Sequence, residues 1–194
     1  MYSDSKLIVI SFIGPSAAGK STAMKQLKEN YQVLEERYIE LNEHKIDNRL
    51  VLSKWGYIQY WFNEVLKAKN RGTQLIITDR CPIDTCAYVS HNSKELLEVI
   101  KTSFDELKRL NILVNKILVT CNFEELQDRI YNRLKDDQRR IDYNEGDIEH
   151  NRRAYNFFIE NISLWDDVID TSNIDPEATL KSFTSIIEKI INKK

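Results

Sequence analysis

The sequence predicts a doubly wound α/β domain with a parallel sheet, and two observations carry that prediction. Short apolar runs alternate along the chain with segments whose apolar residues recur at helical spacing. The first run, Lys6 to Ile13, is apolar on both faces, as a central strand covered on both sides must be. Right-handed crossovers between parallel strands place helices on both faces of such a sheet and ligand sites at the carboxyl ends of the strands.

The elements follow in order. The first strand passes through a glycine-bounded turn into a helix that starts at about Lys20. YQVLEE (31–36) reads as a short second strand. From about Lys45 to Lys69 the positions Leu52, Trp55, Ile58, Phe62 and Val65 keep helical spacing. TQLIITD (73–79), introduced by Gly72, is the third strand. NSKE (92–95) has the form of a capping box and opens a helix carrying Leu96, Leu97, Ile100, Phe104 and Leu107. NKILVT (115–120) is the fourth strand, followed by a helix with Leu126, Ile130 and Leu134. A long helix then carries Tyr155, Phe158, Ile159, Ile162 and Trp165, and DVID (167–170) is a short last strand. Asp175 and Pro176 supply a cap and an N1 proline for a closing helix with Leu180, Phe183, Ile187 and Ile190.

A chain of 194 residues, 42% hydrophobic and 30% charged, suits one globular domain, taken here as residues 1–194. Its net charge of −2 supplies no overall basic field for nucleic acid or an anionic membrane. Cys81, Cys86 and Cys121 are odd in number and lack metal-ligand spacing, which points to reduced thiols in a cytoplasmic protein. The N-terminal apolar run lacks the basic flank of a signal peptide, and no run approaches the roughly 20 residues needed to span a bilayer. No membrane association is expected.

The turn after the first strand carries the strongest chemical signal. Gly14-Pro15-Ser16-Ala17-Ala18-Gly19-Lys20-Ser21 has the spacing GxxxxGK[ST] of a phosphate-cradling loop, with a strand before it and a helix after it. Gly14 and Gly19 permit the sharp turn and the close backbone approach, so that amides from Ser16, Ala17, Ala18 and on to Thr22 face the phosphates. The helix adds the positive end of its dipole. Lys20 brings charge to the β and γ phosphates, and Ser21 can ligate Mg²⁺.

Two further stretches decide what the phosphates are for. None of the five glycines has an Asp three residues before it, and Asn115-Lys116 lacks the Asp of a guanine-reading motif, so a GTPase switch is not indicated. In IITDRCPIDTCAY (76–88), Asp79 closes a strand where a carboxylate can serve the metal or take a hydroxyl proton. Arg80 follows, where a guanidinium can clamp the transferring group. In DRIYNRLKDDQRRIDYNEGD (128–147), Arg129 and Arg133 share a helix face, and Arg139 and Arg140 follow in a polar, loop-like segment. Arginines on a lid, about residues 134–148, would place charge over the phosphoryl oxygens and exclude water.

With these stretches in order over most of its length, the chain resembles the thymidylate kinase and deoxynucleoside kinase branch of the P-loop kinases. The resemblance implies five parallel strands in the order 2-3-1-4-5 and transfer of the γ-phosphoryl of ATP, with Mg²⁺, to a nucleoside or nucleoside monophosphate. It assigns Asp79 and Arg80 to the family's acidic-Arg pair, Arg133, Arg139 and Arg140 to its lid, and Arg129 to the nucleotide. It offers Glu35 or Glu36 as the base after the second strand, and Trp55 and Gln59 as nucleobase contacts sharing one helix face. DTSN (170–173) resembles the loop that closes around the adenine. The chain departs from the family in Cys81-Pro82-Ile83-Asp84 after Arg80 and in the lid sequence RLKDDQRR, which leaves the acceptor open.

The acceptor is therefore a small nucleoside or nucleotide, with a slight preference for a hydroxyl. The alternatives are a hydroxyl on DNA or RNA, at a 5′ end or a modified base, served by a basic, aromatic strip formed from the lid segment and EHNRRAYNFF (149–158), and a nucleotide-binding regulator or ATPase with no acceptor. The sequence leaves the oligomeric state open, a homodimer being one option.

Overall fold

The computed structural model describes residues 5–41, 46–47 and 49–192. Its strands are β1 (Leu7–Ile13), β2 (Val33–Leu34), β3 (Leu75–Asp79), β4 (Ile112–Thr120) and β5 (Asp167–Asp170). Its α-helices are α1 (Lys20–Leu27), α2 (Tyr38–Leu41), α3 (Trp55–Asn70), α4 (Ser93–Arg109), α5 (Phe123–Asp136), α6 (Ile148–Glu160) and α7 (Pro176–Ile191). The five strands form one sheet in the order β2-β3-β1-β4-β5, and every pairing is parallel. This is the predicted architecture.

Alternation along β1 divides the core. Leu7, Val9 and Ile13 face the layer built from α3, α4 and α6, where Trp61, Val65, Ile100 and Phe158 are buried. Ile10 and Phe12 face α1, α5 and α7, where Met24, Leu126, Ile130, Phe183 and Ile187 are buried. Phe12 stacks on Phe183 with ring centroids 4.2 Å apart, tying the closing helix to the central strand. Asp175 caps that helix, its side chain accepting from the Ala178 amide at 2.8 Å, with Pro176 at the first position as the sequence indicated.

Register positions the chemistry. β1 pairs with β3 so that Phe12 lies beside Asp79, two residues before Gly14 begins the loop. The carboxyl ends of β1 and β3 therefore open together, as the switch-point rule requires.

Several elements differ from the sequence reading. The start assigned near Lys45 lies outside the described residues, and a 3-10 turn at Val51–Lys54 precedes α3. The buried face of α3 is Tyr57, Ile58, Trp61, Val65 and Ala68, while Leu52 and Trp55 are exposed. Large aromatics at 57 and 61 set the rotation of this helix. Asn92 adopts a left-handed φ of 60° and makes no side-chain cap, so the expected capping box is absent. The reciprocal cap occurs instead at Cys81 and Asp84, with Pro82 in the first turn of the 3-10 helix Pro82–Tyr88. The long helix ends at Glu160; Trp165 sits beyond it, its Nε1 donating to the Phe158 carbonyl at 2.8 Å. YQVLEE pairs only at Val33 and Leu34, which leaves Glu35 and Glu36 past the strand end.

Candidate active site

The loop from Gly14 to Ser21 joins β1 to α1 in a conformation that only glycine satisfies at its first position. Gly14 has φ +134°, and a Cβ there would overlap the Val119 carbonyl oxygen of β4 and stand 3.1 Å from its carbonyl carbon. Gly19 also has a positive φ, +91°. The Lys20 side chain is buried, and its Nζ donates to the carbonyls of Gly14 (2.9 Å) and Pro15 (2.7 Å). Burial, with the Arg80 charge nearby, pulls this ammonium down to about 7.

Asp79 ends β3 beneath the loop. Its Oδ2 accepts from Ser21 Oγ at 3.2 Å, and its buried Oδ1 has no hydrogen-bond partner among the described residues. Burial raises its pKa, and the Glu36 charge adds to the rise. Two hard oxygens, one without a partner, fit a Mg²⁺ ion. No group of three His, Cys, Asp or Glu residues able to hold a metal occurs among the described residues.

Arg80 adopts a left-handed φ of 71°, unusual for a side chain of its size. Its amide donates to Phe12 O (2.9 Å) and its NH1 to Gly14 O (2.8 Å) and Asp84 Oδ1 (3.1 Å). Its Nε lies 3.3 Å from Glu36 Oε2, and the guanidinium rests 5.6 Å from the Tyr88 ring centroid. Asp84 is buried and also accepts from the amides of Gly14 and Cys81, both at 3.0 Å. Burial raises its pKa while Arg80 pulls it back. The fixed side chain of Asp84 thus braces both the loop and Arg80.

Arg129 reaches the segment after β5, donating to Thr171 Oγ1 (3.1 Å) and Thr171 O (2.8 Å), and pairs with Glu125 at 2.5 Å. Thr171 Oγ1 is in turn 3.2 Å from the Ala18 carbonyl of the phosphate loop. Arg133 and Arg140 converge on one buried carboxylate, Glu145, which also accepts from Ser16 Oγ at 3.2 Å. Arg140 lies 3.1 Å from Glu145 Oε1.

One cavity of about 590 Å³ collects most of these groups, though Asp79 does not line it and reaches it only through Ser21. Ser16, Lys20, Ser21, Arg129, Arg133 and Arg140 line it, together with Glu36, Tyr38, Lys54, Tyr57, Arg80, Tyr88, His150 and Asn151. Its size is that of a small-molecule site.

The cavity sorts the sequence candidates. Lys20, Ser21, Thr22, Ser16, Ala17, Gly19, Arg80, Arg129, Arg133 and Glu36 line it. Glu35 does not: neighbours in extended chain point opposite ways, and Glu35 turns outward to pair with Lys28. Arg139 is also excluded; its side chain is exposed and pairs with Asp137, while Arg140 points inward. Its segment is a 3-10 helix, Gln138–Tyr143, rather than a loop, because the turn wraps around Asp137 and Glu145. Trp55 and Gln59 lie outside as well, on the outer face of α3, in a separate groove with Phe62 and Val99. In the strip at 149–158, His150, Asn151 and Phe158 are buried, Tyr155 and Phe157 are partly buried against the core, and Arg152 covers the Phe123 ring.

Sequence reasoning missed Asp84, Glu145, Tyr38, Lys54, Tyr57, Tyr88 and His150. Asp84 had a signal in the spacing Cys-Pro-x-Asp, which places a carboxylate at N3 behind a proline. The others come from separate elements that only tertiary folding brings together.

Comparison with known proteins places this geometry in context. Among curated proteins no sequence match was found. In solved structures, M. mycoides deoxyadenosine kinase matches with a TM-score of 0.61 at 18% identity, over 93% of this chain and 99% of that one. Candida albicans thymidylate kinase matches with a TM-score of 0.63 at 14% identity, over 99% and 96%. At those identities the likeness shows a shared fold, the P-loop fold of nucleoside and nucleotide kinases. A family model described as an AAA domain matches residues 9–162, from β1 through the phosphate loop to the end of α6. With most of its length under that model, the chain belongs to this AAA domain family.

Proposed function

We propose that this protein is a phosphotransferase that moves the γ-phosphoryl of ATP to a hydroxyl of a small nucleoside or nucleotide. The observation that carries the reading is the pairing of Glu36 with Arg80 in the same cavity as Lys20. A GTPase or a plain ATPase has no need of a carboxylate and a guanidinium braced together beyond the phosphate loop.

The chain's own residues divide the work. Loop amides and Lys20, leaving the Gly14 and Pro15 carbonyls, hold the donor phosphates. Ser21 and Asp79 would hold Mg²⁺, which would neutralise charge on the β and γ phosphates. Glu36 accepts the proton of the acceptor hydroxyl as its oxygen forms a bond to the γ-phosphorus. The bond from that phosphorus to the β–γ bridging oxygen breaks, and ADP leaves with the electron pair. Arg80 orients Glu36, and Arg133 and Arg140 bring charge to the transferring group, with the 134–148 segment acting as a lid.

The test is ATP consumption against a panel of nucleosides and nucleoside monophosphates, with transfer followed by labelled phosphate. Transfer to a member of the panel is expected. Silence across it, with the protein folded and ATP bound, refutes the reading.

A further inference from the structure

Lys54 immediately precedes α3, and its side chain runs inward to the cavity with 2% of the residue exposed. Its Nζ lies 2.7 Å from Tyr38 Oη and 4.4 Å from the centroid of that ring. Ser53 Oγ donates to the Leu50 carbonyl at 2.7 Å, so the Tyr38 hydroxyl gives its own proton to Ser53 at 3.1 Å and accepts from Lys54. One ammonium proton is thereby placed, and the others have no acceptor among the described residues.

The other cavity cations show what is unusual here. Arg80 is paired with Glu36 and Asp84, Arg129 with Glu125, and Arg133 and Arg140 with Glu145. Lys20 and Lys54 have no carboxylate within ion-pair reach among the described residues; the Asp47 carboxylate near Lys54 is taken by Arg49. A buried ammonium without a counter-charge is expensive unless a ligand supplies one. For Lys20 that ligand is the donor phosphate. Lys54 lines the cavity together with Glu36, Arg80 and His150, and the charges of Asp47, Arg80 and Glu36 act on it. Tyr57, three residues further on, also lines the cavity, and its buried hydroxyl has no hydrogen-bond partner among the described residues.

We infer that Lys54 binds an anionic group, a phosphate or a carboxylate, that the acceptor carries in addition to the hydroxyl taken by Glu36. The inference rests on the phosphotransferase reading of this cavity and narrows it. Burial holds the empty Lys54 at about 7, and an anion beside it restores the full charge. A neutral nucleoside leaves Lys54 without a counter-charge among the described residues and binds more weakly, whereas a hydroxyl compound that already bears a phosphate or carboxylate supplies one. Tyr57 is placed to donate to the same group or its neighbour.

The experiment compares initial rates, with ATP and Mg²⁺, for deoxynucleosides, their 3′- and 5′-monophosphates and their 5′-carboxylates. Phosphorus NMR locates the new phosphate. The expected result is a kcat/KM about 10- to 100-fold higher for a charged member than for its neutral parent, the range for a hydrogen bond to a charged group. The phosphate and carboxylate arms show which anion is preferred. Lys54→Met should erase most of that advantage and Lys54→Arg should keep most of it; if Lys54→Met does not fold, Lys54→Gln takes its place. Equal or better rates for the neutral parents overturn the inference, as does an equal loss on charged and neutral members in Lys54→Met. A new phosphate found on the existing phosphate, as a diphosphate, also overturns it, because the anion would then be the attacked group. Silence with every compound while ATP binds refutes the phosphotransferase reading itself, whereas a neutral preference refutes the role of Lys54 alone.

Discussion

Gly14→Ala is the sharpest test of the phosphate loop, because backbone and not side chains stands in the way. The added methyl overlaps the Val119 carbonyl oxygen and requires φ +134°, so either β1 shifts from β4 or the loop refolds. Left-handed strain of this kind costs about 1–3 kcal/mol. Moving Gly14 also breaks the amide bond to the buried Asp84 carboxylate, which costs about 1–3 kcal/mol more. Together these predict a loss of about 2–6 kcal/mol, or roughly 4–24 °C in Tm for a chain of this size. Gly72→Ala is the control: φ is +76°, but nothing lies within 4 Å of its Cβ, so it should lose only about 1 kcal/mol. Thermal and urea unfolding followed by circular dichroism measure both. Equal melting of the two variants, or a Gly14→Ala protein that melts like wild type, would refute the close approach of the loop to β4.

Other expected outcomes follow from the site. Glu36→Gln should lower kcat by about 10²-fold or more, the range for loss of a general base, while Glu35→Gln stays near wild type; the reverse order in a steady-state assay would reassign the base. Asp79→Asn should raise the Mg²⁺ concentration needed for half-maximal rate, seen by titrating the metal at saturating ATP. Arg140→Ala should reduce kcat at least tenfold more than Arg139→Ala, since only Arg140 reaches Glu145 and the cavity; equal effects would return both residues to a common lid role. Lys20 sits near 7 when empty, and phosphate must raise it. ATP affinity is therefore full below that value and falls as pH rises above it, with proton uptake on binding at pH above about 7. Calorimetry in buffers of different ionisation enthalpy checks this, and zero uptake would refute it.

The fold was legible because its signals are local. β1 is apolar on both faces, the loop needs glycine at 14 and 19, and Asp175-Pro176 caps its helix through contacts three residues away. The donor half of the candidate site was legible for the same reason, since Gly14 to Ser21 are contiguous. The acceptor half draws Glu36, Tyr38, Lys54, Tyr57, Tyr88 and His150 from five regions, and no spacing encodes their meeting. Trp55 and Gln59 mislead because a face shared by two residues does not say which way it points; burial of Tyr57 and Trp61 turns that face outward. Glu145 was invisible because its importance lies in the two arginines and one serine that converge on it.

The Gly14 carbonyl accepts from Lys20 at 2.9 Å and from Arg80 at 2.8 Å, so one peptide oxygen touches both halves of the cavity. If the proposed phosphotransferase reading holds, phosphates that draw Lys20 away would leave Arg80 as the remaining cationic donor to that oxygen and would favour the brace between Arg80 and Glu36. The co-substrates are then thermodynamically coupled, each strengthening the other's binding by the same factor, as linkage demands. Kinetically this is substrate synergism: the apparent KM for the acceptor falls as ATP approaches saturation, and that for ATP falls equally with acceptor. A catalyst wired in this way would spend little ATP on water, because its acceptor side would be drawn tight only with the donor in place.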